Sequence, residues 1–139
     1  MKFQPDILTG VNTVTRLEPG RLWVGGTAYQ SSLLVPWTGP VQAWAATCFD
    51  DLTAAHFHDL LRLDPEIVIF GSGLRLRFPA PALLRSLIER GIGVETMDTS
   101  AACRTYNVLV SESRSVVAAL LLHESDALSK TLYSTIAPA

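Results

Sequence analysis

Charged residues are scarce in this sequence. They make up 17% of its 139 residues and leave a formal net charge of −2, whereas an average soluble domain has about 25% charged residues. Lysine is scarcer still, because nine of the eleven basic residues are arginine and the two lysines, Lys2 and Lys130, lie near the ends. A nearly neutral chain lacks the basic domain or stripe that nucleic-acid binding needs. The composition therefore argues against a nucleic-acid partner.

Cysteine and long apolar runs are also few. Cys48 and Cys103 are 55 positions apart and match no zinc or redox spacing. Free thiols in a reducing cytosol suit them better than one disulfide. The longest apolar run, residues 116–122, has seven members, whereas a membrane-spanning helix needs about twenty. Residues 1–6 lack the apolar stretch of a secretory signal, so we expect a cytoplasmic protein with no membrane span.

Apolar residues, by contrast, are abundant, at 48% of the chain. This content excludes disorder, and the length suits one domain that buries about two-thirds of its unfolded surface. From His123 onward the chain turns polar and ends in Ala137-Pro138-Ala139. We therefore predict a single α/β domain over residues 1–122 and a flexible C-terminal tail over residues 123–139.

The first part of the chain reads as strands. Residues 21–24 and 29–35 are the first two strand candidates and flank Gly25-Gly26. Glycine adopts positive φ at little cost, so this pair favours a hairpin turn. Residues 41–45 have an alternating pattern of side chains and predict a third strand.

Beyond residue 50 the spacing predicts helices that alternate with strands. Asp50 and Asp51 can cap a first helix, and Pro81 and Gly91 bracket a second. The predicted helices cover residues 52–63, 81–90 and 101–110, and the predicted strands cover residues 66–70, 92–97 and 115–122. Strand–helix–strand units imply parallel neighbours joined by right-handed crossovers. The order β-β-β-α-β-α-β-α-β therefore predicts an α/β fold on a mixed sheet, with an N-terminal antiparallel hairpin followed by βαβαβ.

Several catalytic and cofactor motifs fail on spacing. The Gly-Ser-Gly turn at residues 71–73 would need glycine at position 76 to be a dinucleotide fingerprint, and that residue is Leu76. It also lacks the later Gly-Lys pair of a P-loop. A nucleophile elbow around Ser72 would need glycines where Phe70 and Leu74 stand. No catalytic residue or cofactor is predicted.

Histidines do not suggest a metal site. His56 and His58 are two apart, so on the predicted helix they point to different sides. The third, His123, is remote in sequence. No metal ligands are predicted.

Cys103 has two interpretations. It lies in the first turn of a predicted helix beside Arg104, and both the helix N-terminus and the guanidinium favour a thiolate of lowered pKa, as in a thiol-dependent enzyme. The other interpretation is a small buried residue in an Ala-Ala-Cys packing face.

One constellation predicts a binding site. Residues 71–77 and 98–102 each follow a predicted parallel strand, and ligands of α/β sheets bind outside the carboxyl ends of such strands. Free N–H groups at a helix N-terminus favour an anion, and guanidinium groups bind carboxylate or phosphate in bidentate fashion. The candidate ligand-binding residues are Gly71, Ser72, Gly73, Arg75, Arg77, Thr99 and Arg104. The alternative is that Thr99 only caps the helix and that the arginines are solvated or paired.

Five segments carry a family resemblance: residues 65–73, 78–79, 91–99, 101–107 and 112–116. Together they resemble a family of small, mostly uncharacterised α/β domains. The family includes mitochondrial respiratory complex I assembly factor 3 and the adipogenesis-associated Mth-type domain protein. Its more specific motif residues here are Asp98, Thr105, Tyr106 and Asn107.

The resemblance implies a three-layer α/β/α fold on a mixed sheet and no established catalytic activity. For eukaryotic members it implies assembly of complex I. The motif also has a physical interpretation. Tyr106 is expected to bury its ring and bond its hydroxyl at the sheet edge, and Asn107 to bond the backbone of a neighbouring loop. Glu112 and Arg114 are expected to pair or to anchor the loop into the last strand.

Beside the thiol-dependent enzyme that Cys103 would support, two functions remain in view. The first is a non-enzymatic protein-interaction or assembly role, with apolar surface supplied by Trp23, Trp37 and the hairpin. The second is a small-anion or nucleotide-binding domain built on the 71–77 loop and the N-terminus of the 101–110 helix. Low surface charge permits a homodimer, but the sequence selects no interface.

Overall fold

The computed structural model describes residues 10–124 as eight strands, three α-helices and short 3-10 turns. The strands are β1 (Val14–Glu18), β2 (Arg21–Val24), β3 (Thr27–Tyr29), β4 (Leu33–Pro36), β5 (Gln42–Ala43), β6 (Ile67–Gly71), β7 (Gly93–Met97) and β8 (Val116–Leu120). The helices are α1 (Ala54–His58), α2 (Arg85–Glu89) and α3 (Thr99–Ser111).

The main sheet has five strands in the order β5-β4-β8-β6-β7. Strand β6 pairs in parallel with both β7 and β8, and β4 pairs antiparallel with β8 and β5. The mixed α/β sheet predicted from the sequence is therefore confirmed. The crossover through α2 connects β6 to β7. The crossover through α3 then connects β7 to β8, which lies on the other side of β6.

Both faces of this sheet are covered, which explains the continuous apolar sequence of its central strands. Along β8, Val116, Ala118 and Leu120 belong to one buried cluster, whereas Val117 and Ala119 belong to the other, as the two-residue period of a strand requires. One cluster includes residues of α1 and α2. The other includes residues of α3 together with β1 and β2.

Strands β1, β2 and β3 form a separate antiparallel sheet over the α3 side. The turn at Gly25-Gly26 is confirmed, since Val24 pairs with Thr27 and Gly25 has φ of 58°. The single strand predicted over residues 29–35 is wrong. It divides into the end of β3 and the start of β4, because the chain passes there from one sheet to the other. Strand β1 was not predicted at all.

Two of the three predicted helices are partly 3-10 helices, whereas the third, α3, extends beyond the predicted residues 101–110 at both ends. The first consists of α1 followed by a 3-10 helix at Asp59–Leu63, and the second begins as a 3-10 helix at Pro81–Leu84 before α2. Gly91, at φ of 73°, ends the second as predicted. None of the helices within residues 10–124 has the length and apolarity that a membrane crossing requires.

The first two residues of the predicted tail lie on the domain. His123 Nε2 is 2.7 Å from the carbonyl oxygen of Gln30, and a carboxylate oxygen of Glu124 accepts the N–H of Leu74 at 2.6 Å. The rest of the predicted tail, and residues 1–9, lie outside the described residues.

Candidate functional site

A cleft of about 680 Å³ opens where the carboxyl ends of the parallel strands meet the N-terminus of α3. Its walls are formed by residues 17–20, 73–74, 98–100 and 121–124. The structure thus brings together parts of the two segments that the sequence placed at one sheet edge. The turn between β1 and β2 closes the opposite side, a contribution that sequence reasoning missed.

Thr99 joins three parts of this edge. Its hydroxyl donates to the carbonyl oxygen of Leu121 at 2.7 Å and accepts the N–H of Gly73 at 2.9 Å. The side chain is 5% exposed. Both hydrogen-bonding directions of the hydroxyl are therefore used inside the protein. Its role in the described structure is to bind the end of β6 to the segment after β8.

Gly71 allows this junction to be close. A Cβ atom at this position would lie 2.9 Å from Thr99 Oγ1 and 3.0 Å from the Thr99 Cα atom. The second of these atoms belongs to the backbone and cannot rotate away. The glycine of the Gly-Ser-Gly turn is thus required for packing between β6 and α3.

Ser72 organises the loop that follows β6. Its Oγ donates to the carbonyl oxygen of Arg75 at 2.6 Å and accepts the N–H of Arg77 at 3.0 Å. The residue is 1% exposed. A buried hydroxyl held in this way by main-chain atoms serves the turn.

Gly73 lies at the rim of the cleft in a conformation that favours glycine, with φ of 109°. A Cβ atom there would come within 2.8 Å of a Glu124 carboxylate oxygen. The same carboxylate accepts the N–H of Leu74. This wall of the cleft is therefore fixed by main-chain hydrogen bonds.

None of the three candidate arginines is among the described residues that line the cleft. Arg77 donates to Asp50 at 3.0 Å, and its guanidinium lies 4.1 Å from the ring centroid of Phe49. Arg104 donates to Ser100 Oγ at 2.9 Å. Arg75 is exposed and forms no ion pair with any residue from 10 to 124.

Carboxylates, not guanidinium groups, line the cleft, from Glu18, Asp98 and Glu124. Asp98 caps α3, since its carboxylate accepts the N–H of Ala101 at 2.9 Å, and the N–H of Thr99 donates to Gly73 O at 2.9 Å. Two N–H groups of this helix end are therefore already bonded. The small-anion site stays a prediction, and the observed charge of the cleft does not favour it.

Cys103 is a buried packing residue. It is fully inaccessible and belongs to the core cluster beneath α3. Burial raises the pKa of its thiol to about 12, an effect larger than the opposing attraction of Arg104. The interpretation as a thiolate of lowered pKa is wrong, because desolvation of the charged form outweighs the neighbouring cation.

The Tyr106-Asn107 pair attaches α3 to the strands in front of it. The buried hydroxyl of Tyr106 donates to the carbonyl oxygens of Asn12 and Pro36, at 2.8 and 3.1 Å. The amide of Asn107 accepts the N–H of Val14 at 2.9 Å and donates to its carbonyl oxygen at 2.8 Å. The interpretation of Tyr106 is confirmed. Asn107 bonds to backbone as predicted, but to that of strand β1 and not of a loop. Thr105 is half-buried on the same helix.

Other polar residues also have structural partners. Arg114 donates to Glu66 at 2.6 Å, so the ion pair joins the ends of the loops before β6 and β8. Of the two expected roles, pairing with Glu112 or anchoring the loop into the last strand, the contact of Arg114 with Glu66 fits the second. His56 accepts the N–H of Thr53 at 3.1 Å and so caps α1. Within residues 10–124 no three His, Cys, Asp or Glu side chains are grouped to hold a metal.

The exposed apolar surface was expected at Trp23, Trp37 and the hairpin, but it lies elsewhere. Trp23 and Trp37 are half-buried, and Arg16 and Arg21 lie over the Trp23 ring. The exposed large apolar residues of the described chain are Leu74, Leu76, Phe78, Ile88 and Val108. Three of these belong to the segment just after the Gly-Ser-Gly turn. The signal was present in the sequence as a Leu-Arg-Leu-Arg-Phe run in a loop.

Comparison with known proteins finds a matching sequence family and solved structures of similar fold. The sequence profile described as "Protein of unknown function (DUF498/DUF598)" matches residues 14–121. A crystal structure of a Bordetella parapertussis protein has a TM-score of 0.78 and 38% identity, covering 83% of this chain and 98% of that chain. A solution structure of a Bordetella pertussis protein, described as a Mth938-like domain, has a TM-score of 0.76 and 31% identity, covering 93% of this chain and 98% of its own.

Curated relatives carry a functional name. NADH dehydrogenase (ubiquinone) 1 alpha subcomplex assembly factor 3 of Mus musculus is 35% identical over 99 residues, which is 70% of this chain and 52% of the relative. The Bos taurus protein of the same name is 40% identical over 83 residues, which is 58% of this chain and 45% of the relative. The chain thus spans about half the length of these relatives.

Proposed function

Because this chain belongs to the DUF498/DUF598 family of proteins of unknown function, whose relatives include assembly factors, we propose that it acts as a non-enzymatic protein-interaction domain. In this role it would help subunits of a larger complex to assemble. Respiratory NADH dehydrogenase is the first complex to test, because the curated relatives are named for it. The cytoplasmic location expected from the sequence stays a prediction.

One observation supports this proposal: the hydroxyl, thiol and amide groups that were candidates for binding or catalysis serve the internal structure of the protein instead. The Ser72 and Thr99 hydroxyls and the Asn107 amide bond to main-chain atoms of this protein, and the Cys103 thiol is buried in the core. The loop beside the cleft instead displays apolar side chains to solvent. Displayed apolar surface suits recognition of another protein.

Deletion of the gene in the organism that encodes the chain tests the proposal. Native gel electrophoresis should show less assembled NADH dehydrogenase and more of its partial assemblies, while transcripts of the subunits stay unchanged. Expression of the wild-type chain should restore the complex. A normal amount of assembled enzyme in the deletion strain would contradict the assembly role.

A second measurement identifies the partner directly. Chemical crosslinking of the tagged chain in intact cells should give the same one or two subunits in every repeat. Failure to recover any specific protein, with the chain present at its native level, would count against an interaction role of any kind.

A further inference from the structure

Three exposed apolar side chains are concentrated on the segment formed by residues 74–78, here called the 74–78 loop. Leu74, Leu76 and Phe78 are 70%, 53% and 71% exposed. Ile88 and Val108 are exposed to a similar degree, but each lies singly on a helix surface, on α2 and α3. Isolated apolar residues are ordinary on protein surfaces, whereas a cluster marks an interaction site.

The backbone beneath these side chains is held firmly. Ser72 Oγ bonds to the main-chain atoms of Arg75 and Arg77, and the N–H of Leu74 donates to Glu124. The ion pair between Arg77 and Asp50 attaches the loop to the region before α1. A preformed loop loses little conformational freedom on binding, and this raises the affinity that the same contacts provide.

The charge of the loop indicates what it binds. Arg77 is neutralised by Asp50, whereas Arg75, between two exposed leucines, has no ion-pair partner among residues 10–124. The surface is thus apolar with one available guanidinium, a residue type enriched at the energetic centres of protein interfaces. Its complement is apolar and carries a carboxylate.

An anionic membrane fits this surface less well. Electrostatic attachment to such a membrane uses clusters of four or more basic residues. Here one guanidinium is available, and the carboxylates of Asp50 and Glu124 lie beside the loop.

We propose that the 74–78 loop is the docking surface for an apolar segment of a partner protein that bears Asp or Glu. This inference rests on the proposed interaction function and adds the surface and the chemistry of the partner. The apolar side chains of the loop bind the apolar residues of the segment, and Arg75 binds its carboxylate.

Selection from a displayed random-peptide library against the immobilised wild-type chain tests the proposal. The selected peptides should combine Asp or Glu with large apolar residues. Fluorescence anisotropy of one such labelled peptide should show binding at least about tenfold weaker for Leu76→Ser and for Phe78→Ser. The matched controls Val108→Ser and Ile88→Ser remove equally exposed side chains elsewhere and should leave the affinity unchanged. Because all four side chains are exposed, thermal melting should show that each variant stays folded.

Charge reversal tests the role of Arg75 separately. Arg75→Glu should weaken the binding of the selected peptide. A peptide in which Lys replaces the acidic residue should bind this variant again, and should not bind the wild type. Loss without restoration would refute the charge assignment.

Other results would overturn the proposal in distinguishable ways. Peptides that bind regardless of Leu76 and Phe78 would show that the surface lies elsewhere, while the interaction function stands. Loop-dependent binding to vesicles of phosphatidylglycerol and phosphatidylcholine in equal parts, without peptide binding, would make the occupant a membrane. Loop-dependent dimers in light scattering would make it a second copy of this chain. Loop-dependent peptide binding beside normal complex assembly in the deletion strain would instead contradict only the assembly role.

Discussion

Replacement of Thr99 by valine should destabilise the protein by about 3 kcal/mol. Valine keeps the shape of threonine but removes the hydroxyl that bonds to the Gly73 N–H at 2.9 Å and the Leu121 carbonyl oxygen at 2.7 Å. Both hydrogen bonds are buried, and each stranded main-chain group costs about 1–3 kcal/mol. The two costs sum to about 2–6 kcal/mol, and relaxation of the structure brings the total into the lower half of that range, to about 3 kcal/mol. For a chain of this length the melting temperature should fall by roughly 12 °C.

Urea unfolding followed by tryptophan fluorescence measures this loss, because Trp44 is 4% exposed and reports on the core. The midpoint should fall with no change in the slope m. Thr99→Ser is the control, since it keeps the hydroxyl and loses one methyl group worth about 1 kcal/mol. A valine variant within 1 kcal/mol of the wild type, or a serine variant as unstable as the valine one, would refute the reasoning.

Three further predictions test the same packing. Gly71→Ala should lower stability by about 1–3 kcal/mol, because its Cβ would lie 3.0 Å from backbone, whereas Gly93→Ala, with its nearest contact at 3.8 Å, should be nearly neutral in the same unfolding assay. Asn107→Ala should release β1 from α3, so the Val14 amide should exchange hydrogen at least tenfold faster while the core amides stay protected. A Val14 amide that exchanges as slowly as in the wild type would contradict the hydrogen-bond assignment. Cys103, with its pKa raised to about 12, should resist iodoacetamide at pH 8 until the protein unfolds, and rapid labelling of the native protein would contradict its burial. Because the thiol ionises more easily in the unfolded state, its contribution to the free energy of unfolding should fall as pH rises from about 9 toward 12.

The elements at the centre of the fold were predictable because local and global signals agree there. The continuous apolar run of β6 follows from burial on both faces, and α3 forms close to its predicted position, with Asp98 as its cap. Strand β1 was missed because only one of its five residues is fully buried. Its position depends instead on Asn107, 93 residues away. No local pattern contains such a long-range contact.

The candidate site was predicted in position but not in charge. Parallel strands end at one edge, so the approach of residues 71–77 to residues 98–102 follows from topology alone. The direction of Arg77 depends on Asp50, 27 positions earlier in the sequence and across the sheet edge. The balance at Cys103 similarly depends on burial, which a helix-terminus argument does not include. Side-chain direction and desolvation are properties of the packed structure.

Family membership therefore predicts the fold of this chain more firmly than its partner. The most specific motif residues, Tyr106 and Asn107, bond to backbone atoms of the N-terminal strands, so they are required by the architecture whatever the protein binds. The 74–78 loop differs in kind. Ser72 holds it through main-chain atoms, a contact that leaves the side chains at positions 74, 76 and 78 free to change without loss of the loop. Two proteins with this fold can thus share every buried hydrogen bond and still dock different segments, and the identity of the partner should be sought in those exposed side chains.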